Sequence, residues 1–334
     1  FVFVSIYIIN SNKHVKVQKS EFLFDTYVNV TTHGKPNDAS NAHTSILNIL
    51  TDLDDRFSQT FEVKARDLAG NVDMKQLLLQ TSELNKQYGN GINLTCGTLT
   101  SLWGISTDSP RIPNETEIET ALSLIEDTDY HDGDLSAFSE NTMLDLGAVA
   151  KGYALNILAI ELDFRYPKGE RFDYAIISLG SSSLFYGKKP DGNKFRTAIT
   201  NPFTCDDGQT NFLGYIETDE SYISTSGGYE RFFEVDGKKY EHILDVQTGF
   251  PASTDLASVT VVCPINSYHD LTNGGLTSDF LSTQIYIDGT KKIDKYLHSD
   301  DFFVIAIDKD KNLYLSKKMP EGMFHLEMEI ANGS

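Results

Sequence analysis

The segment D-L-G-A-V-A-K-G-Y, from Asp145 to Tyr153, combines residue types that suit the binding of a phosphorylated ligand. Gly147 permits a tight turn, and residues 148–162 have the composition of a helix. The backbone N–H groups at the start of a helix attract anions, and Lys151 adds a positive charge one turn later. The same residues also fit a glycine turn before an ordinary core helix.

A second group of polar residues, Asp279, Ser282 and Thr283, has the spacing of one helical face. Their carboxylate and hydroxyl oxygens are ligands that a hard cation such as Mg²⁺ prefers. The pattern D-x-x-S-T is also common at the start of a helix, where such side chains cap free N–H groups. The residues alone therefore leave a magnesium site and a helix cap as alternatives.

His242 opens the segment H-I-L-D-V-Q-T-G-F-P, which ends at Pro251. An imidazole titrates close to neutral pH, so this side chain is suited to take a proton from a hydroxyl group. The alternative is a strand histidine that only hydrogen-bonds to the backbone. Asp245 lies on the opposite face if the strand continues, but a turn there would bring its carboxylate to the ring.

Four ordered blocks carry a resemblance to a known family: Asp145–Tyr153, Ser224–Phe233 (S-T-S-G-G-Y-E-R-F-F), His242–Pro251 and Ser278–Thr283 (S-D-F-L-S-T). Two weaker matches are an opening strand at Phe22–Val30 and a middle signature at Gly91–Gly104. In this order the blocks resemble the ApbE family of FAD:protein FMN transferases. The resemblance runs from about Phe22 to about Gly289.

The resemblance implies a catalytic base, a metal site and a set of FAD contacts. It implies that His242 is the base that activates an acceptor Thr or Ser. It implies that Mg²⁺ is bound by Asp279, Ser282 and Thr283 together with the carbonyl oxygen of Ala148. It also implies contacts with FAD from Gly91, Ile92, Asn93, Asp145, Lys151 and Leu244. Asn93 stands where family members usually carry Asp, so this contact would keep its hydrogen bonds but lose the charge.

The composition limits the class of protein. The chain has 334 residues and a formal net charge of −20, which argues against a nucleic-acid partner because phosphate backbones demand a basic surface. A negative protein that binds FAD must neutralise the phosphates locally, with metal, lysine or helix N-termini. Cys96, Cys205 and Cys263 are widely spaced and show neither a disulfide framework nor metal-ligand spacing.

Helices and short strands must position these residues. Apolar residues recur at helical spacing in three segments, Ser40–Leu53, Asp73–Tyr88 and Ala148–Leu162, and a further helix begins near Pro113. The second half is rich in strand-like segments, among them Tyr174–Leu179, Phe195–Thr200 and Gln284–Ile287. The mixture predicts an α+β fold. The resemblance implies an ApbE-like, T-fold-related arrangement of helices and antiparallel sheets with a flavin cleft, over residues 21–332.

Residues 1–20 are set apart from this domain. The segment from Phe1 to Ile9 is apolar except for Ser5 and is followed by Lys13, Lys16 and Lys19. Nine residues are too few to span a bilayer as a helix. The segment is predicted to be the remnant of a signal peptide or membrane anchor, or else an edge or core strand. We therefore expect an extracytoplasmic protein, secreted or tethered to the outer face of the cytoplasmic membrane.

The residues and the resemblance together predict a Mg²⁺-dependent enzyme that moves FMN from FAD to a Thr or Ser of an acceptor protein. The product is a phosphoester, and AMP is released. The acceptors that the resemblance implies are subunits of membrane redox complexes or secreted flavoproteins with a D-G-x-[ST]-x-[ST] type signal. Two alternatives stay open: an FAD pyrophosphatase that uses water as the nucleophile, and a flavin-binding protein without turnover.

Overall fold

The first half of the chain is mainly helical, and the second half consists mainly of strands. The computed structural model describes residues 13–58, 63–166, 172–203 and 212–327. In these ranges the helices are α1 Pro36–Ser58, α2 Val72–Tyr88, α3 Gly97–Trp103, α4 Glu115–Leu122, α5 Ala150–Arg165, α6 Tyr268–Asp288 and α7 Thr290–Ile293. The strands are β1 Val15–Leu23, β2 Thr26–Gly34, β3 Tyr174–Leu179, β4 Ser182–Gly187, β5 Phe195–Thr200, β6 Phe212–Thr218, β7 Ser221–Ser226, β8 Phe232–Val235, β9 Lys238–Glu241, β10 Leu256–Pro264, β11 Phe303–Asp308, β12 Leu313–Leu315 and β13 Phe324–Leu326.

A large antiparallel sheet forms the middle layer of the fold, with the strand order β1-β2-β3-β4-β7-β10-β11-β12. The helices α1, α2, α5 and α6 pack on one face. A small sheet of order β13-β6-β5 packs on the other face. Strands β8 and β9 form a separate hairpin, as the turn signal Asp236-Gly237 between them indicates. The predicted α+β class with antiparallel sheets is confirmed.

Apolar side chains alternate between two cores along the central strands. In β10, Val261 lies in the core beneath the helices and Val262 in the core beneath the small sheet. In β11, Val304 lies in the core beneath the helices and Ile305 lies in the core beneath the small sheet. Successive side chains of a strand point to opposite faces, so strands covered on both sides become apolar throughout.

The large sheet begins before the predicted domain boundary at residue 21. Strand β1 starts at Val15 and pairs with β2 along its whole length. The block Phe22–Val30 is therefore the tip of a hairpin and not a single opening strand, and its turn residues Phe24 and Asp25 both have positive φ, 53° and 52°. The apolar segment Phe1–Ile9 lies outside the described residues. Among the helices of the described ranges, none has the length and apolarity that crossing a bilayer requires.

The predicted helices are confirmed, but one predicted strand is wrong. Ser40–Leu53 and Asp73–Tyr88 lie within α1 and α2. Gln284–Ile287, predicted as a strand, forms the end of α6. Four alternating residues do not distinguish a strand from a buried helix. The helix has a clear start signal in Ser267 and Asp270, which form a capping box.

Helices α5 and α6 cross at two glycines. A Cβ at Gly152 would lie 2.2 Å from the carbonyl oxygen of Gly275, and a Cβ at Gly275 would lie 2.4 Å from the carbonyl oxygen of Gly152. Only glycine permits this approach. The Gly275 amide also donates a 2.7 Å hydrogen bond to Oδ1 of Asn156. The crossing places the first turn of α5 against the middle of α6.

Gly152→Ala should therefore destabilise the protein, although replacing a helical glycine by alanine ordinarily stabilises by about 0.5–1 kcal/mol. The added methyl group must push the helices apart, and overpacking of this kind costs about 1–3 kcal/mol. We expect the free energy of unfolding in urea to fall by that amount. Phe164→Ala, at a side chain of α5 that is 84% exposed, is the control and should change it by less than about 0.5 kcal/mol. A Gly152→Ala variant of unchanged stability would contradict the close crossing.

Candidate active site

The carboxylate of Asp279 is buried beside the glycine crossing and is held by two donors. The Gly152 amide donates to Oδ2 at 2.9 Å, and the Ser182 hydroxyl donates to Oδ1 at 2.7 Å. The residue is only 5% exposed. Each carboxylate oxygen has two lone pairs, so these two hydrogen bonds leave one on each oxygen. The geometry thus combines a fixed carboxylate with remaining capacity to bind a cation.

Residues from β7 onward contact α6 as three pairs: Ser224 with Ser278, Ser226 with Ser282, and Gly228 with Tyr286. The pairs use every second residue of the strand and every fourth residue of the helix. Two strand residues advance about 6.6 Å, and four helical residues advance about 6.0 Å. The two rows therefore stay in register, and the S-T-S-G-G block lies along the polar face of α6.

The three predicted metal ligands of α6 lie beside one another. The hydroxyls of Ser282 and Thr283 donate to the carbonyl oxygen of Asp279 at 2.9 and 3.4 Å. Ser226 adds a hydroxyl oxygen 2.9 Å from Oγ1 of Thr283. Ser282 is fully buried, whereas Thr283 is partly exposed. Thr283 is thus the more accessible of the two hydroxyls.

The carbonyl oxygen of Ala148, the fourth predicted ligand, lies just before α5. The N-cap of α5 is Val149, and its carbonyl is the first to accept a helical hydrogen bond, from the Tyr153 amide at 2.9 Å. The carbonyl of Ala148 lies before this ladder, and the amide four residues later, that of Gly152, donates to Asp279. The carbonyl of Ala148 therefore keeps its capacity to act as a ligand.

Amides at the start of α5 are largely engaged by protein acceptors. The Gly147 amide donates to the Asp145 carboxylate at 2.7 Å, and the Ala150 amide donates to the Leu146 carbonyl at 2.8 Å. The sequence predicts an anion site made of free amides here, and the structure engages several of them in the turn. The positive charge beside this turn belongs to the side chain of Lys151, whose Nζ donates a long 3.4 Å hydrogen bond to the Gly147 carbonyl.

His242 follows β9, and its ring is held by one backbone carbonyl. Nδ1 lies 3.1 Å from the carbonyl oxygen of Arg231. A carbonyl oxygen only accepts, so Nδ1 carries the hydrogen and Nε2 keeps its lone pair. Burial lowers the pKa of His242 to about 4, and the positive charges of Arg231 and Lys151 act in the same direction. The imidazole is therefore neutral at neutral pH, as a general base must be.

Asp245 closes a turn directly after His242. Its carboxylate accepts a 2.8 Å hydrogen bond from the Gln247 amide, and its carbonyl accepts one of 2.8 Å from the Gly249 amide. The turn that the sequence admits is thus present, but the Asp245 carboxylate serves the turn. The carbonyl of Arg231 orients the imidazole instead.

Two of the predicted FAD contacts, Ile92 and Leu244, have buried apolar side chains. Ile92 lies in the core beneath the helices, and Leu244 packs with Trp103 in a small core beside α3 and α4. Gly91 is anchored to α6, because its amide donates to Oε1 of Gln284 at 2.9 Å. Contacts of Ile92 and Leu244 with FAD would therefore have to use their backbone.

Asn93 is buried, and its side chain makes three hydrogen bonds within the protein. Its Oδ1 accepts from the amide of Thr95 at 3.0 Å and from the hydroxyl of Thr95 at 2.8 Å. Its Nδ2 donates to the carbonyl of Glu126 at 2.7 Å. Only one amide hydrogen of the Asn93 side chain then remains for FAD.

Sequence reasoning missed three polar residues of this region, Ser182, Glu241 and Tyr286. The Tyr286 hydroxyl donates to Oε2 of Glu241 at 2.6 Å, and burial raises the pKa of that carboxyl group. These residues meet through the register of β4 and β9 with α6, which no local pattern reveals. The one available signal was the four-residue spacing of Ser278, Ser282 and Tyr286.

A family model described as the ApbE family matches residues 24–305. This chain belongs to the ApbE family. A curated relative from Haemophilus influenzae, named FAD:protein FMN transferase, is 25% identical over 270 residues, which are 78% of this chain and 73% of the relative. A relative of the same name from Klebsiella pneumoniae is 29% identical over 232 residues, covering 68% of this chain and 66% of the relative.

Two solved structures share the fold. The ApbE protein of Thermotoga maritima aligns with a TM-score of 0.73 at 22% identity, over 91% of this chain and 97% of that chain. The flavin transferase ApbE of Vibrio cholerae aligns with a TM-score of 0.70 at 21% identity, over 91% and 98%. The predicted ApbE-like architecture of helices and antiparallel sheets is thus confirmed.

In the ligand-free protein, His242 should titrate near pH 4 and not near its ordinary value of 6.5, because burial disfavours the imidazolium. NMR spectra of the ring protons against pH measure this, and His242→Asn identifies the signal. The unfolded chain binds this proton at higher pH than the folded chain does. The contribution of His242 to the free energy of unfolding should therefore be full above pH 6.5 and decline as the pH falls towards 4. A midpoint close to 6.5 would contradict the burial of the ring.

Proposed function

We propose that this chain is an FAD:protein FMN transferase that links FMN to a Thr or Ser hydroxyl of an acceptor flavoprotein and releases AMP. The observation that carries the proposal is the buried carboxylate of Asp279 together with a neutral imidazole at His242. The positive charge of Lys151 helps to lower the pKa of this imidazole. Membership of the ApbE family and the name shared by the curated relatives support it.

The residues of the proposed metal site fit Mg²⁺. All their ligand atoms are oxygens: the Asp279 carboxylate, the hydroxyls of Ser282 and Thr283, and the carbonyl of Ala148. Hard cations prefer such a set, and the Ala148 carbonyl lies before the N-cap of α5, outside the helical hydrogen-bond ladder. When bound, Mg²⁺ supplies positive charge that neutralises phosphate oxygens.

Lys151 has a matching role toward the pyrophosphate of FAD. A chain with a net charge of −20 repels an anionic substrate at long range, so the binding site must supply local positive charge. The ammonium group of Lys151, at the start of α5, is placed one turn from Ala148. It would stabilise the charge on the phosphate oxygens, which grows as the pyrophosphate bond breaks.

His242 would accept the proton of the acceptor hydroxyl at Nε2, because Nδ1 is engaged by Arg231. The hydroxyl oxygen then bonds to the phosphorus of the FMN half, and the bond from that phosphorus to the AMP oxygen breaks. AMP leaves with the electron pair. A base with a lowered pKa is ready at neutral pH, since it does not first have to lose a proton.

The transfer reaction itself tests the proposal. Incubation of the full chain with FAD, Mg²⁺ and an acceptor protein should increase the acceptor mass by one FMN and release an equal amount of AMP. FMN and AMP without labelled acceptor would indicate the pyrophosphatase, and FAD binding without either product would indicate a flavin-binding protein. Both outcomes would contradict the transferase.

Asp279→Asn should remove most of the Mg²⁺-dependent transfer, because the amide lowers the charge of the proposed site while keeping the shape of the side chain. This variant is sharper than Asp279→Ala, which would also strip the Gly152 amide and the Ser182 hydroxyl of their acceptor. The control is Asp294→Asn, at a side chain that is 82% exposed. Full transfer by Asp279→Asn, or by the original chain in EDTA, would contradict the metal site.

His242→Asn should bind FAD almost normally but transfer FMN more slowly, by roughly 10²–10⁴-fold, the usual cost of losing a general base. The asparagine amide can still donate to the Arg231 carbonyl, as Nδ1 does, but it offers no base in place of Nε2. Single-turnover transfer at saturating FAD and acceptor measures the chemical step.

His298→Asn, at a histidine with a 59% exposed side chain, is the matched control and should keep the original rate. An unchanged rate in a folded His242→Asn variant would remove His242 from the mechanism. Equal losses of stability and FAD affinity without a slower chemical step would mean that His242 is structural.

A further inference from the structure

Two histidines and one aspartate converge at the edge of the large sheet. His14 precedes β1, His33 lies in β2, and Asp173 precedes β3. Nδ1 of His14 lies 2.5 Å from Oδ2 of Asp173, and Nδ1 of His33 lies 2.7 Å from the same oxygen. Their ligand atoms lie within 4.8 Å of one another, and the described part of the chain contains no second such group of three His, Cys, Asp or Glu side chains.

The main chain of Asp173 and the ring of His33 are held in place by their neighbours. The Asp173 amide donates to the carbonyl of His33 at 2.8 Å, and its carbonyl accepts from the Lys188 amide at 3.0 Å. The ring of His33 stacks on Tyr174, with ring centroids 4.9 Å apart and planes inclined by 6°. His14 closes the group from the more exposed side. Ligands that are already positioned lose little freedom when a metal binds.

We propose that His14, His33 and Asp173 bind one divalent transition metal, with Zn²⁺ as the representative ion. Two imidazole nitrogens and one carboxylate oxygen are a ligand set that suits Zn²⁺, Co²⁺ and Ni²⁺. In a tetrahedral zinc site with bonds of about 2.0–2.1 Å, neighbouring ligand atoms lie about 3.3 Å apart. Each imidazole Nδ1 would move away from Oδ2 of Asp173 by less than about 1 Å, from 2.5 and 2.7 Å, and water would take the fourth position. Each imidazole would then carry its hydrogen on Nε2.

This site lies far from the proposed active site. The carbonyl of Asp25 accepts a 2.9 Å hydrogen bond from Nη2 of Arg231, so the turn of the β1–β2 hairpin is the end that approaches His242. His33 lies near the other end of β2, about 23 Å from Thr26 at 3.3 Å per residue. A bound metal would tie the start of the edge strand β1 to β2 and β3. Its role would be structural and independent of FMN transfer.

Titration of the full chain with Co²⁺ in excess Mg²⁺ tests this site, because tetrahedral cobalt absorbs visible light and Mg²⁺ occupies sites made of oxygen. We expect one equivalent of Co²⁺ to produce the absorption and Zn²⁺ to displace it. His14→Asn and Asp173→Asn should each weaken Co²⁺ binding at least about tenfold. His269→Asn, at an exposed histidine outside the cluster, should leave the affinity unchanged.

Far-UV circular dichroism and FAD binding establish whether the variants fold. If Asp173→Asn does not fold, Co²⁺ binding is compared between the original chain and His14→Asn, whose substituted residue lies at the exposed edge. Zn²⁺ should raise the thermal midpoint of the original chain but not that of His14→Asn, because only the folded site binds the metal. No visible absorption at one equivalent of Co²⁺, or equal affinities in the original chain and His14→Asn, would overturn the proposal.

Discussion

The close approach of Gly152 and Gly275 is the contact on which the proposed site depends. Because neither residue has a Cβ, the first turn of α5 lies against α6, and the Gly152 amide reaches the Asp279 carboxylate. This hydrogen bond fixes the carboxylate close to the start of α5, and the Ala148 carbonyl lies just before the helical hydrogen-bond ladder. A larger side chain at the crossing would move Ala148 away from the three proposed magnesium ligands of α6.

The register between β7 and α6 extends this constraint along the helix. Strand and helix advance by nearly the same distance per paired contact, so a row of small polar residues on one element meets a similar row on the other. The row begins at Ser224 and Ser278 and ends at Gly228 and Tyr286. Hydroxyl groups therefore replace apolar packing on one face of a helix that is otherwise buried, and α6 can hold a charged group in the interior.

Burial and charge act together on His242. Removal from water disfavours the imidazolium, and the positive charges of Arg231 and Lys151 disfavour it further. The same positive charges would attract the phosphates of FAD to a chain whose net charge is −20. The electrostatic arrangement that keeps the proposed base neutral is thus also the one that favours an anionic substrate.

The sequence by itself determined the local elements and the chemical character of each block. Helical spacing predicted α1 and α2, and the blocks around Lys151, His242 and Asp279 predicted the phosphate, base and metal functions. Only the tertiary structure decided which donors and acceptors remain available. Amides at the start of α5 are engaged within the protein, and Asp245 does not hold the ring of His242. The tertiary structure also decided that Gln284–Ile287 belongs to a helix. Some of these outcomes follow from competing local partners, as when the Gly147 amide binds the Asp145 carboxylate and the Gln247 amide binds that of Asp245. The contacts that hold the proposed metal site depend on distant partners. Gly152 and Asp279 are 127 positions apart, and no local pattern contains the hydrogen bond that joins them.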